Sequence, residues 1–381
     1  MSTVAGYYTT QFGELWDKSL FDLVEEAMQG VIKNTKIKKE SIDAIFFGNM
    51  LSGLLDNNLH ASAKIAEILG VHVPVFRIES ACASGGMAFH LANKYIESSS
   101  AKTVLVIGAE KMTDYSPEQT TKGLAAASSG EEQEVGLTFP GLYAMMAREY
   151  LTRFNYTEEN LAYVSHKNHY HGSLNEKAHF KRKISVEQVL KSSYVADPLK
   201  VLDCAPISDG ASAVLLTVDK KILKRNKHCK VLSSEAATDS ISLKYRKSLD
   251  EIYSTKLAAQ KAFQKAKIKP SDINVAELHD CFSIAELFAM EAIGFWKKGE
   301  AGKNIKELGT MFGSGGSLTV NTSGGLKAAG HPVGATGIKQ IGEIYLQLTK
   351  QAKNRQVKAK YGLAQNVGGS GGTSVVTILS I

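Results

Sequence analysis

No apolar run in the 381 residues approaches the roughly 20 needed to cross a bilayer, so a membrane-spanning chain is not expected. The opening MSTVAGYYTTQFGE shows neither a charged-then-apolar leader nor an Arg-rich transit character, and the closing ILSI is not a peroxisomal address. The expectation is therefore a cytoplasmic protein. The four cysteines, Cys82, Cys204, Cys229 and Cys281, form no Cys-x-x-Cys pair, which argues against a zinc knuckle or a disulfide framework and for reduced thiols. Charge of one sign is not concentrated either. Lys and Arg number 45 against 38 Asp and Glu, and the net +7 is scattered. That pattern argues against a nucleic-acid partner; it suits an anionic ligand such as a phosphorylated cofactor, or simply a solvated basic surface.

What is present is an ordinary soluble composition, 44% hydrophobic and 22% charged. The length exceeds one ordinary core and implies two packed domains or a duplicated one. Duplication is favoured, because segments echo each other. NTKIKKESIDAIFFGN (34 to 49) follows one helical pattern, and KAKIKPSDINVAELHD (265 to 280) follows another, bringing Ile42 onto Ile273 and Gly48 onto His279. SDGASAVLLTV (208 to 218) resembles GSGGTSVVTIL (369 to 379), each a glycine turn leading into a β-branched run. KTVLVIGAEK (102 to 111) has its counterpart in YGLAQNVGG (361 to 369). Helices alternating with apolar strands predict α/β halves with parallel-rich sheets covered on both faces. Residues 114 to 204 break the pattern, and an excursion of that length is expected to cover a site or bind a ligand.

Four segments carry candidate chemistry. Cys82 lies between the strand-like VPVFRI and the helix-like SGGMAFHLANKYI, where a helix N-terminus would favour thiolate and small neighbours would admit a substrate. A small core cysteine is the plainer alternative. His331, in Gly-His-Pro, sits in a glycine-rich loop and could take a thiol proton, or be merely structural. His279 and Cys281 flank Asp280 at a strand end, the usual ligand position of α/β sheets, ahead of a helix for which Ser283 is the expected N-cap and Glu286 its capping-box partner. The glycines of AQNVGGSGGTS (364 to 374) can aim backbone N–H groups at an oxyanion. His166, His169 and His171 have a spacing a metal could use, but without supporting cysteines or carboxylates, and no metal is expected. Met145 and Met146 could wall an acyl pocket or pack in the core.

Together GHPVGATG, DCAPISDGASAVLL and ESACASGG resemble the thiolase family along essentially the whole chain. Two departures identify a branch. HDCF (279 to 282) stands where many thiolases have Asn-Glu-Ala-Phe, and Asn366-Val367-Gly368 replaces the family's second cysteine motif, Cys-x-Gly. The thiol missing at 366 is matched by one at 281, as in sterol-carrier-protein-type thiolases and similar archaeal and bacterial acetyl-CoA acetyltransferases. The resemblance implies a five-layer α-β-α-β-α fold of two duplicated halves with an inserted loop domain. We divide it as 1–113 plus 205–235, an insertion at 114–204 that holds CoA, and 236–381.

The resemblance also implies site roles. Cys82, activated by His331, carries the acyl group, and Cys281 moves protons at the second substrate's α-carbon. His279 and His331 donate to that substrate's thioester oxygen, and the N–H groups of Cys82 and Gly368 form an oxyanion hole. Lys181, Arg182 and Lys183 are candidates for CoA phosphates. CoA thioesters would be substrates, with no permanently bound cofactor. The expected assembly is a homodimer or a dimer of dimers, with a possible small acyl-CoA-channelling partner protein. The rivals are a ketosynthase-like or hydroxymethylglutaryl-CoA-synthase-like condensing enzyme, a retro-aldolase, and a noncatalytic CoA-binding scaffold.

Overall fold

Local sequence accounts for the elements of the first half. In the computed structural model, which describes residues 1–381, β1 (Thr3–Thr9) leads to α1 (Leu20–Thr35). Ser19 caps α1 by accepting from the Asp22 N–H, and Asp22 reciprocates. Leu20, Leu23, Val24, Ala27, Met28 and Val31 fall on the buried face at helical spacing. Then come β2 (Ala44–Gly48), α2 (Ala61–Leu69), β3 (Val75–Ile78), α3 (Ser84–Glu97) and β4 (Thr103–Glu110), the last buried throughout. The excursion contains α4 (Pro117–Ala125), α5 (Gly130–Glu134), α6 (Phe139–Phe154), α7 (Glu158–Gly172), α8 (Val186–Leu190) and the hairpin β5 (Tyr194–Ala196) with β6 (Leu199–Lys200). β7 (Gly210–Thr217) returns to the sheet, and α9 (Lys220–Arg225) crosses to the second half.

That half repeats the plan. It runs β8 (Cys229–Thr238), α10 (Tyr253–Ala266), β9 (Val275–Glu277), α11 (Ser283–Ile293), α12 (Ala301–Asn304), β10 (Thr319–Val320), α13 (Gly325–Ala329), α14 (Val333–Leu348), β11 (Tyr361–Gly368) and β12 (Thr373–Ser380). The strand order is β10-β9-β11-β12-β8-β1-β7-β4-β2-β3, which reads the same from both ends once the two halves are superposed. The halves join where β1 meets β8, through Thr3 opposite Lys230 and Val4 opposite Cys229. The expected boundary at 235/236 falls within β8, which pairs with β12 along most of its length and with β1 at its start.

The sheets are mixed rather than parallel-rich. β2 pairs in parallel with β3 and β4, and β9 with β10 and β11, but the other five pairings are antiparallel. The reason is local for β11 and β12: the turn at residues 369–372 is too short for a crossover, so β12 must run back along β11.

Three apolar clusters define the layers. One lies between α1 with α2 and the first sheet. A second surrounds α3 and α14 between the two sheets. The third joins the far face of the second sheet to α10 and α11 and extends to α6 and α7. The result is the five-layer α-β-α-β-α stack. No helix is long and apolar enough to cross a membrane.

The central layer positions the chemistry. α3 and α14 meet backbone to backbone at their first turns. A Cβ on Gly85 would stand 2.5 Å from the Gly334 carbonyl oxygen, and one on Gly337 would stand 2.2 Å from the Gly86 nitrogen. Only glycine allows this approach, so the segments preceding the two helices, with Cys82 and His331, are drawn together. At the flank, the buried Asp209 carboxylate binds the buried Lys111 ammonium at 2.7 Å and accepts from the Met112, Thr113 and Leu15 N–H groups. This ties β4 to β7 beneath the site. Gly85→Ala should overpack the seam and lower the unfolding free energy by about 1–3 kcal/mol, measured by chemical denaturation.

Candidate active site

Cys82 sits on a tight turn between β3 and α3. Ala81 before it adopts φ +50°, a left-handed conformation unusual for a residue with a Cβ. The turn is held locally: Ser84 Oγ donates to the Ala81 carbonyl at 2.6 Å and accepts from the Ser80 N–H at 2.9 Å, while Glu79 accepts from the Ala81 N–H at 2.6 Å. Cys82 is only 9% exposed. Burial pushes its thiol up to about 12, and a hydrogen bond from the Gly369 N–H offsets only part of that. The thiolate expected from the helix N-terminus is therefore not the resting form, because desolvation outweighs the helix end.

The two histidines are held in opposite tautomers. Thr336 Oγ1 gives its one proton to the Pro332 carbonyl at 2.9 Å, so its contact with His331 Nδ1 at 2.7 Å requires the ring to donate. His331 Nε2 is left bare, buried and without a protein partner. Asn366 sets the other ring. The Gly86 N–H can only donate, so the Asn366 atom 3.0 Å from it is Oδ1. The Asn366 amide nitrogen then donates to the Cys82 carbonyl at 3.0 Å and to His279 Nδ1 at 3.1 Å. His279 must carry its proton on Nε2, which is also without a partner. One ring thus offers a base and the other a donor. Both are neutral: burial pushes His331 down to about 3 and holds His279 well below the usual imidazole range.

The rings lie edge to face with centroids 5.0 Å apart. One ligand atom each from Cys82, His279 and His331 fall within 4.8 Å of one another. Such a trio could ligate a soft ion in principle. Ligation through His279 Nε2 would strip its proton and leave Nδ1 facing the Asn366 donor, so the hydrogen bonds favour acid–base work instead.

Cys281 follows His279 by two residues and opens onto the same cavity as Cys82 and His331, a space of about 430 Å³. Its thiol is pushed well above the ordinary range, first by burial and then by the neighbouring Cys82. The walls are mostly apolar, among them Met112, Leu124, Phe139 and Phe282. No carboxylate lines the cavity, and its cations are Arg182 and Lys327.

Several sequence expectations land elsewhere. Gly368 lies against the Cys82 turn, where a Cβ on it would stand 2.5 Å from the Ser80 carbonyl oxygen, and Gly369 beside it lines the cavity and points its N–H at Cys82. Of the three basic candidates only Arg182 reaches the cavity wall; Lys181 extends to Gln11 at 3.4 Å, and Lys183 lies over the Tyr170 ring at 5.0 Å. Phe282, not Ser283, occupies the N-cap of α11. Ser283 donates to Asp203 at 2.8 Å, and Glu286 pairs with the buried Lys167 at 2.6 Å, because a buried ammonium needs its counter-ion more than a helix end needs a cap. His166, His169 and His171 each turn Nδ1 to a different backbone carbonyl, those of Ile184, Arg182 and Asn321. Met146 is core and Met145 is exposed; neither lines the cavity.

Three residues of the site had not been assigned a role. Asn366 was visible only as the absence of a thiol, though an asparagine inside an apolar strand is itself a signal of a buried hydrogen-bonding task. Lys327 lies buried beside the cavity, its ammonium donating to the Cys204 carbonyl at 2.6 Å, and burial pushes its pKa down. Tyr143 closes one wall. Asn366→Ala frees the His279 tautomer and should lower kcat by roughly 10²–10³ with little change in thermal unfolding, as for loss of one oriented oxyanion donor; steady-state kinetics beside a melting curve checks it.

Comparison with known proteins agrees with this architecture. Residues 2–220 match the family model of the thiolase N-terminal domain, and residues 235–381 that of the thiolase C-terminal domain-like family. The chain is 43% identical to the acetyl-CoA acetyltransferase of Methanocaldococcus jannaschii, with 99% of this chain and 98% of that one covered. It is 32% identical to sterol carrier protein 2 of Bos taurus, over 94% of this chain and 67% of the other. A solved Ltp2-ChsH2(DUF35) aldolase superposes with a TM-score of 0.86 at 21% identity, covering 99% of this chain and 97% of that one. With both halves matched in order and full-length relatives above 30% identity, the chain belongs to the thiolase family.

Proposed function

We propose that the protein is an acetyl-CoA C-acyltransferase that makes or cleaves 3-ketoacyl-CoA through an acyl group on Cys82. The observation that carries the reading is the bare His331 Nε2 in one constellation with the Cys82 and Cys281 thiols. The Methanocaldococcus relative bears the same activity in its name. A metal or a resident cofactor has no part in the reading.

The neutral groups define a proton route that closes on itself. As Cys82 sulfur attacks the thioester carbonyl, its proton passes to His331 Nε2, and the N–H groups of Gly369 and Cys82 favour the oxyanion. The C–S bond breaks, and the departing CoA sulfur takes the proton of Cys281, leaving a thiolate there. That thiolate removes an α-proton from the second acyl-CoA, whose enolate oxygen meets the N–H of His279 and of the protonated His331. The enolate carbon bonds to the acyl carbonyl, Cys82 sulfur leaves and recovers its proton from His331. Arg182 at the cavity wall is our candidate for a CoA phosphate. Cys281 favours this chemistry over a ketosynthase-like or aldolase reading, which need no second thiol.

The finer proposals rest on separate observations. β3 ends the sheet order, and Phe76 on it is 39% exposed while its ring lies tilted against that of Phe46. An open strand edge with an exposed aromatic supports a homodimer joined there. The ChsH2(DUF35) component named with the Ltp2 structure supports a small acyl-CoA-channelling partner. Four free cysteines support a reducing, cytoplasmic setting.

Incubation with acetyl-CoA should release about one CoA per subunit and leave an acetyl adduct on Cys82, seen by intact mass. Cys82→Ala should abolish both and Cys281→Ala should lower turnover at least about 10²-fold, while Cys229→Ala, in the core away from the cavity, should keep activity. A Cys82→Ala variant with near-normal thiolysis of acetoacetyl-CoA would refute the assignment. Light scattering should give the mass of an even-numbered oligomer, and Phe76→Glu should reduce it to one subunit.

A further inference from the structure

Tyr143 takes no part in the steps above, yet it is among the largest fully buried side chains of the molecule. It comes from α6, in the excursion, and lines the cavity with Cys281 and Gly369. Its ring packs on Phe282 with centroids 4.7 Å apart, which fixes where the hydroxyl can go. That hydroxyl donates to the Gly369 carbonyl at 3.1 Å and lies near enough to the Cys281 sulfur for each group to shift the titration of the other. One O–H has one proton, so while it is given to Gly369 none is offered to the Cys281 sulfur. Gly369 in turn points its N–H at Cys82, so Tyr143 and Gly369 together link the surroundings of the two sulfurs.

We propose that Tyr143 is a positioning residue for proton transfer at Cys281, its hydroxyl turning from the Gly369 carbonyl to the sulfur whenever that sulfur is a thiolate. This rests on Cys281 as the acid–base group. When Cys281 gives its proton to the departing CoA sulfur, the S–H bond breaks and the electron pair stays on Cys281. The tyrosine rotates about its C–O bond and donates to that pair; its own O–H bond stays intact. When the thiolate takes the substrate's α-proton, the S–H bond re-forms and the hydroxyl returns to Gly369. Burial, followed by the proximity of Cys281 and Cys82, holds the Tyr143 hydroxyl well above its ordinary range, against the pull of Arg246, so it remains protonated throughout. The other groups acting on Cys281 are Cys82, Asp280 and the Phe282 N–H. The two carboxylate- and thiol-bearing neighbours oppose a thiolate there, which is why a donor is needed.

Tyr143→Phe keeps the ring on Phe282 and removes only the hydroxyl. Turnover of acetoacetyl-CoA should fall about 10- to 100-fold at pH 7 and recover as pH rises, the ascending limb moving up by a unit or more, while the stoichiometry of the CoA burst stays at one per subunit. In a Cys281→Ala background the same change should cost less than about twofold. Independently of turnover, in a Cys82→Ser background the pH at which iodoacetamide alkylates Cys281 should rise on Tyr143→Phe. A loss equal at every pH, a full loss in the Cys281→Ala background, unchanged turnover or an unmoved alkylation profile would each overturn the proposal. Absence of a burst from the unaltered enzyme would instead overturn acylation of Cys82.

Discussion

The site exists because two helices touch where most helices cannot. Gly85 and Gly86 on α3 lie against Gly334 and Gly337 on α14, with no side chain between the backbones. Helices normally stand 8–10 Å apart, separated by their side chains. Here the first turns close that gap, and what precedes each turn, Cys82 on one side and His331 on the other, comes within 4.8 Å. The left-handed Ala81 and the Thr336 hydroxyl refine the aim of each group, but neither could act across a wider seam.

The electrostatics of the site follow from its dryness. Burial raises the thiols of Cys82 and Cys281 and lowers both histidines, so the resting constellation is uncharged. A preformed thiolate–imidazolium pair would need solvation that the mostly apolar walls do not supply. Charge is created only as bonds to substrate form, and each proton has one prepared destination. Asn366 is what keeps that order, because its amide has a single orientation compatible with the Gly86 donor and the Cys82 carbonyl.

Much of this was legible in the chain. Helical spacing in α1, the glycine turns before β7 and β12, and the small residues around Cys82 are local features, so the duplication and the strand-to-helix turn that carries Cys82 could be read directly. The mixed sheets were not, because strand direction is decided by the connections, and the return of β12 along β11 depends on a turn only a few residues long. The helix-end rule misjudged Cys82 since it counts one element, whereas desolvation sums everything packed around the sulfur. Gly368 and Gly369 differ by one residue in a loop whose direction no periodicity fixes. Ser283 looked like a cap until Asp203, 80 residues earlier, proved to be its partner. Tyr143 and Lys327 act through the direction of a side chain, which the pattern of residues does not encode.

The two halves share a strand order but not a trade. At equivalent strand ends the first half carries Gly48, pressed on the Gly85 backbone, and the second carries His279. On the proposed chemistry the halves are not interchangeable: one supplies Cys82 and a smooth landing for a helix, the other Cys281 and both histidines. A chain with two first halves would place no imidazole opposite Cys82, and one with two second halves would lack Cys82, so the proposed chemistry needs one of each in a single molecule.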